Sequence, residues 1–168
     1  MVDENDTIAA IATASGRGGI GIIRVSGPNT QFICEEIVGQ ALTPRQAYLK
    51  SFKNPDQSVL DSGLVIFFKG PASYTGEDTL ELQGHGGPVI LDMVLKRVLN
   101  LGARLARAGE FTERAFLNNK LDLAQAEAVA DVIDAGTEQA VRSAQRSLQG
   151  EFSKQIEALQ QKITNIRL

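Results

Sequence analysis

The stretch Ser15-Gly16-Arg17-Gly18-Gly19-Ile20-Gly21-Ile22-Ile23-Arg24-Val25-Ser26 admits two readings, and they lead to different folds. Gly16, Gly18 and Gly21 satisfy the letter of G-x-G-x-x-G, which brings a backbone against a dinucleotide pyrophosphate at the start of a helix. The residues after the turn, Ile20-Gly21-Ile22-Ile23-Arg24-Val25, are rich in β-branched side chains and read as a strand. No acidic residue closes a second strand about twenty positions later, where a dinucleotide fold needs its ribose contact. The segment therefore predicts a glycine turn between two strands, Thr7 to Thr13 and Ile20 to Val25, with Arg17 and Arg24 presenting cations.

On the C-terminal side of this segment, Ser26 before Gly27-Pro28 reads as a helix start, with Pro28 in the first turn where a missing N–H does no harm, and Gly39 closes that helix. Strand patterns come next at Ala47 to Phe52, Ser58 to Lys69 and Thr79 to Gln83, with Asn54-Pro55-Asp56 as the first turn between them. Gly87-Pro88 opens a helix whose apolar Val89, Met93, Val94, Val98 and Leu101 recur at three-and-four spacing until Gly102. These pieces predict an α+β fold: a mixed or antiparallel sheet with flanking helices, followed by long α-helices.

The composition changes near residue 120, and the boundary is drawn there, giving an N-terminal domain over 1–119 and the beginning of a helical domain over 120–168. Asp122 with Gln125 makes a capping-box start for a helix running to about Ala135 and closing at Gly136. A second helix is expected from Thr137, its stripe of Val141, Leu148, Phe152, Ile156, Leu159, Ile163 and Ile166 reaching the last turn. At 1.5 Å per residue it would span roughly 48 Å. Nothing resembling a C-cap comes after Leu168, so the pattern predicts the front part of a longer protein.

With 43% hydrophobic and 22% charged residues over 168 positions, the chain has an ordinary globular composition. Cys34 is the single cysteine, which excludes an intrachain disulfide, offers no thiol cluster for a metal and points to a reducing compartment. The acidic start Met-Val-Asp-Glu-Asn-Asp is unlike a secretory signal, and no run approaches the roughly 18 apolar residues of a membrane span, so a cytoplasmic protein is expected. A net charge of -3 gives no overall attraction to phosphate polymers. The Walker loop is absent from the sequence, so this polypeptide alone is not expected to hydrolyse a nucleoside triphosphate.

The densest chemistry lies in Gly76-Glu77-Asp78-Thr79-Leu80-Glu81-Leu82-Gln83-Gly84-His85-Gly86-Gly87. Alternation sends Glu81 to the face opposite Leu80 and Leu82, beside Gln83 and Thr79, either as a solvated carboxylate or as an acceptor for an amidine-like ligand edge. Gly84 to Gly87 leads into a helix start, where free N–H groups would hold an anion or simply make a turn. His85, the single histidine, has a structural reading and a general-base reading. Cys34, among Phe32, Ile33 and Ile37, reads as a small buried hydrophobe. Lys96, Arg97, Arg104, Arg107, Arg114 and Lys120 face only Glu110 and Glu113 in their segment, an excess suited to an anionic ligand tail or RNA backbone, or to solubility alone.

Taken in order, Asp6-Thr7-Ile8, the run from Gly16 to Gly27, Ser73-Tyr74-Thr75-Gly76-Glu77-Asp78, the run from Glu81 to Gly87, Gly109-Glu110-Phe111-Thr112-Glu113-Arg114-Ala115-Phe116-Leu117-Asn118 and Lys120-Leu121-Asp122-Leu123-Ala124-Gln125-Ala126-Glu127 resemble the bacterial tRNA modification GTPases of the MnmE (TrmE) family, over essentially the whole chain. The resemblance implies an α+β folate-binding module, similar to that of the glycine-cleavage aminomethyltransferase, that also mediates homodimerisation. It implies a protein that works with the flavoprotein MnmG to place a carboxymethylaminomethyl or aminomethyl group on carbon 5 of the wobble uridine of certain tRNAs. A tetrahydrofolate such as 5-formyltetrahydrofolate is the implied one-carbon source. GTP turnover with potassium and magnesium belongs to a G domain, which this chain lacks, as it lacks the family's C-terminal Cys-containing tail.

By motif, the implied folate contacts are Arg24, Glu81 and Lys120; no catalytic residue and no metal ligand is assigned. Glu81 would accept from the pterin ring N–H and amino group, while Arg24 and Lys120 would face the benzoylglutamate charge or carbonyl oxygens. Two other readings stand beside this one: a stand-alone folate-dependent one-carbon transferase with His85 or Asp78 as base, and a purely structural dimerisation module.

Overall fold

The computed structural model describes residues 6–166. The strands in chain order are β1 (Ile8–Ile11), β2 (Gly18–Ser26), β3 (Ala47–Lys53), β4 (Val59–Phe68), β5 (Thr79–Gly86) and β6 (Arg104–Leu105). The helices are α1 (Thr30–Val38), α2 (Pro88–Asn100), α3 (Glu110–Leu117), α4 (Leu123–Asp134), α5 (Glu138–Leu148) and α6 (Glu151–Ile166). The chain divides into two compact units after Phe111, inside α3.

In the first unit the strands form one sheet in the order β3-β4-β5-β2-β1-β6, antiparallel throughout except for the parallel pair of β1 with β6. Alternation in β2 sends Ile23 and Val25 inward and leaves Ile22 and Arg24 on the opposite face, as a half-buried strand requires. Leu80 and Leu82 of β5 and Val65 and Phe67 of β4 do the same. They pack with Ile33, Cys34 and Ile37 of α1 and Leu91, Val94 and Val98 of α2 into one core. Gly21 lets α2 come close: a Cβ there would lie 2.6 Å from Leu91 Cδ2 and 3.0 Å from the Gly86 backbone.

The α+β layout, the glycine turn and the β3–β4 turn at Asn54-Pro55-Asp56 agree with the sequence pattern. Asp56 builds that turn, its Oδ1 accepting from Ser58 N–H at 3.0 Å and from the Ser58 hydroxyl at 2.6 Å. Four details differ. Asn29 caps α1, so Pro28 precedes the helix instead of opening it. β5 continues through Gly86 because Gly84 and Gly86 pair with Gly21 and Gly18 of β2, so Gly84 to Gly86 are strand and only Gly87, the N-cap, precedes the helix that opens at Pro88 as expected. The short β6 and α3 carry no periodic apolar signature long enough to read.

The fourth difference lies in the second unit. The helix expected from Thr137 onward is two helices, because Gly150 adopts φ 80° and donates its N–H to Ser147 O at 2.9 Å, a left-handed termination that glycine takes at low cost. Thr137 is the N-cap, accepting from Ala140 N–H at 3.2 Å. The capping box of α4 is present: Asp122 Oδ1 accepts from Gln125 N–H at 2.8 Å, and Gln125 Oε1 accepts from Asp122 N–H at 3.0 Å. Ser153 donates to Asp122 Oδ2 at 2.6 Å and Gln125 Nε2 to Leu148 O at 2.9 Å, which tie α4 to the following two helices. Among the described residues no helix is long and apolar enough to cross a membrane.

Candidate functional site

The register of β2 with β5 sets Arg24 directly opposite Glu81, on the sheet face away from the core of the first unit. Facing side chains on adjacent strands have Cβ atoms about 5 Å apart, within reach of a long cation and a carboxylate. Arg24 donates from Nη2 at 2.8 Å and from Nε at 3.0 Å, both to Glu81 Oε1. The other oxygen, Oε2, accepts from Gln83 Nε2 at 3.1 Å, two residues along the same strand face. The Arg24 side chain keeps 30% of its surface exposed and Glu81 16%, so the pair is sheltered yet open to a ligand.

Two rings border the guanidinium. Its carbon lies 5.6 Å from the centroid of Tyr74 and 5.8 Å from that of Phe111, within cation–π range. Tyr74 is held by its neighbours: the Ser73 hydroxyl donates to Glu77 O, and Thr75 Oγ1 lies 2.7 Å from Ser26 Oγ, which donates to Glu77 Oε2 at 2.7 Å. Phe111 comes after Glu110, whose side chain is 1% exposed and accepts from two nitrogens of Arg104 and from Arg107 N–H at 2.7 Å. The Arg104 bonds, opposed by burial and helped by Arg107, bring the Glu110 carboxyl down to about 2. Arg104 also reaches Asp6, and its guanidinium is held charged by these two carboxylates.

Of the three residues expected to contact a ligand, Arg24 and Glu81 are brought into direct contact in the first unit. Lys120 belongs to the second unit, exposed in the turn after α3, where its N–H donates to Ala115 O at 2.8 Å and Asn119 before it takes φ 56°. Thr79 does not join Glu81 on the open face; it is buried, with its hydroxyl 3.3 Å from Thr75 Oγ1. Tyr74 and Phe111 carry no spacing signal, because each reaches Arg24 from a loop or a helix end distant in sequence.

His85 has a carboxylate partner that sequence alone does not reveal. Its Nδ1 lies 2.6 Å from Asp61 Oδ1, its N–H donates to Asp61 Oδ2 at 2.8 Å, and the ring is largely exposed. Burial would raise the Asp61 carboxyl, but bonds from the His85 ring, the His85 and Ser62 N–H groups and the imidazole charge outweigh it and lower it. The glycine segment's His85 N–H is thus already taken, so an anion is not what satisfies it. Asp78 is likewise engaged, with Lys69 Nζ at 2.8 Å and Gly70 N–H at 2.9 Å. Cys34 is buried, and burial, with the charge of Glu35 adding to it, pushes its thiol up to about 12, the setting of an inert core residue.

The basic run from Lys96 to Lys120 is largely neutralised by the fold. Lys96 pairs with Asp92, Arg97 with Glu36, Arg104 with Asp6 and Glu110, and Arg107 with Glu110. An RNA-binding reading of this run loses most of its charge in these pairs. Among the described residues, no cluster of three or more histidine, cysteine, aspartate or glutamate side chains has the arrangement of a metal site.

Comparison with known proteins adds an independent line. Residues 7–120 match the family model described as GTP-binding protein TrmE N-terminus, and residues 123–168 match that of the MnmE helical domain. The chain is 58% identical over all its 168 residues to the tRNA modification GTPase MnmE of Stutzerimonas stutzeri (strain A1501), covering 37% of that protein. It is 61% identical over the same span to the protein of that name from Ectopseudomonas mendocina (strain ymp), again 37% of its length. With that of Pseudomonas putida (strain GB-1) the identity is 60% over 163 residues, 97% of this chain and 36% of the relative. The chain thus spans little more than a third of the curated relatives it matches. Motif order, fold and both family matches agree: this chain belongs to the TrmE N-terminal family, with the start of an MnmE helical domain behind it.

Proposed function

We propose that the chain is the tetrahydrofolate-binding, dimer-forming N-terminal part of a tRNA modification GTPase. In this reading Glu81 accepts the paired N–H donors of the pterin ring, and Arg24 and Lys120 face the carbonyl and carboxylate oxygens of the rest of the ligand. The observation that carries it is the sheltered Glu81 carboxylate, held on an open sheet face by a guanidinium and bordered by Tyr74 and Phe111. A carboxylate so placed receives two adjacent donors, and a flat heterocycle gains from aromatic neighbours.

The wider assignment rests on the name shared by the relatives, tRNA modification GTPase, together with the family resemblance of the motifs. The whole protein, working in the cytoplasm with MnmG, adds a carboxymethylaminomethyl group to the wobble uridine of tRNA. GTP, potassium and magnesium act in the G domain, outside this chain. Calorimetric titration of the 168-residue chain with 5-formyltetrahydrofolate tests the ligand. Saturable binding weakened at least about tenfold in Glu81→Gln is expected, from the loss of charge-assisted bonds. No saturable heat, or equal affinity in the variant, removes the assignment.

A further inference from the structure

The Arg24 guanidinium makes a particular set of contacts. It directs two N–H donors at one oxygen of Glu81, at 2.8 and 3.0 Å, while its central carbon lies over the rings of Tyr74 and Phe111, 5.6 and 5.8 Å from their centroids. A guanidinium is planar and delocalised, with donors projecting from one edge. An aminopyrimidinone edge, the part of a pterin that a carboxylate grips, has the same form: a flat ring with adjacent N–H groups in its plane. The site without ligand therefore already holds a chemical likeness of the ligand proposed for it.

The parts differ in how firmly they are held. Tyr74 stands between Ser73 and Thr75, whose hydroxyls bond to Glu77 O and Ser26. Phe111 stands next to Glu110, which is fixed by Arg104 and by Arg107 N–H. Glu81 is braced from the side by Gln83. Arg24 is the long, rotamer-rich member of the group and keeps 30% of its side chain in solvent. The rings stand on hydrogen-bonded segments, and the arginine beside them is the member with the most rotamers.

We propose that Arg24 is a resident placeholder: it leaves Glu81 when the N–H edge of the ligand arrives, and Tyr74 and Phe111, which now border the guanidinium, then border the heterocycle. The proposal rests on the folate reading above and deepens it. Binding becomes an exchange of one charge-assisted pair for another, so the half-buried carboxylate is never left without a donor. Ligands lacking two adjacent donors cannot repay the exchange and are rejected. The displaced guanidinium, still on β2, is then available to the ligand's carbonyl oxygens.

The test is the arginine Nε–H signal in nitrogen-15 spectra of the 168-residue chain, with Arg24 identified by the signal that disappears in Arg24→Lys. Glu81→Gln supplies the reference position of a guanidinium without its carboxylate. Saturation with 5-formyltetrahydrofolate is expected to move the Arg24 signal of the unmodified chain from its paired position to that reference. Tyr74→Leu and Phe111→Leu, checked for folding by their amide spectra, are each expected to raise Kd at least about fivefold, the scale of one lost aromatic contact. If calorimetry records saturation while the Arg24 signal stays at its paired position, the placeholder is wrong and the folate reading stands. Unchanged Kd in both leucine variants overturns the role of the rings. Absence of any saturable heat removes the folate reading, and the placeholder with it.

Discussion

Arg24 and Glu81 are 57 residues apart in sequence and directly opposed across β2 and β5, with 2.8 Å between Nη2 and Oε1. Both are partly exposed, so the pair is worth less than a buried one, on the order of 1 kcal/mol. A double-mutant cycle with Arg24→Ala and Glu81→Ala, followed by urea unfolding, is expected to give a coupling of that size. A coupling of zero would mean the two do not hold each other in solution.

Glu110 sets the acid limb of stability. Its folded carboxyl titrates at about 2, below the ordinary 4.5, chiefly because Arg104 bonds to it. A depressed folded value gives stability that is complete above the unfolded pKa and disappears as pH falls toward the folded one, here from about 4.5 to about 2. At about 1.4 kcal/mol per pKa unit, the contribution is at most about 3.5 kcal/mol. Glu110→Gln is expected to destabilise the chain near pH 7 and to flatten the loss of stability between pH 5 and pH 3 (both roughly, from the linkage relation). Denaturant midpoints across that range decide it; a variant whose pH slope matches the parent contradicts the role given to Glu110.

At Gly63 the backbone of β5 lies close against β4. A Cβ there would lie 2.0 Å from Gln83 O and 2.9 Å from Gly84 Cα, both backbone atoms that cannot step aside without parting the strands. Gly63→Ala is expected to cost more than about 2 kcal/mol in urea unfolding, the range of overpacking and backbone strain. Because Gln83 braces Glu81, folate affinity should fall with it. A variant of parental stability would show that the two strands sit farther apart than described.

The wider assignment has its own test. Glu81→Gln carried in the whole gene is expected to lower the carboxymethylaminomethyl content of wobble uridine, measured by mass spectrometry of tRNA nucleosides, while GTP hydrolysis by the purified protein stays near the parental rate. Unaltered nucleosides, together with lost folate binding in the same variant, would separate folate from the modification.

The strands, the α+β class and the glycine turn were legible because alternation, β-branching and turn residues are local signals. So was the capping box, where Asp122 and Gln125 stand three apart and bond reciprocally. The break at Gly150 was hidden because apolar residues on both sides keep helical spacing and only the backbone φ of 80° reveals the stop. At the site, the outward face of Glu81 is set by alternation with Leu80 and Leu82. Its pairing with Arg24, and that of His85 with Asp61, depend on strand register, which no local pattern encodes. Tyr74 and Phe111 depend on a loop and a helix start fixed by buried polar groups, visible only after folding.

The decisive measurement for the site is a crystal structure of the chain with 5-formyltetrahydrofolate. The expected result places the pterin N–H edge on the Glu81 carboxylate, beside Tyr74 and Phe111, with the Arg24 guanidinium turned away from Oε1. A ligand seated on another surface, with the 2.8 Å Arg24–Glu81 bond intact, would refute it.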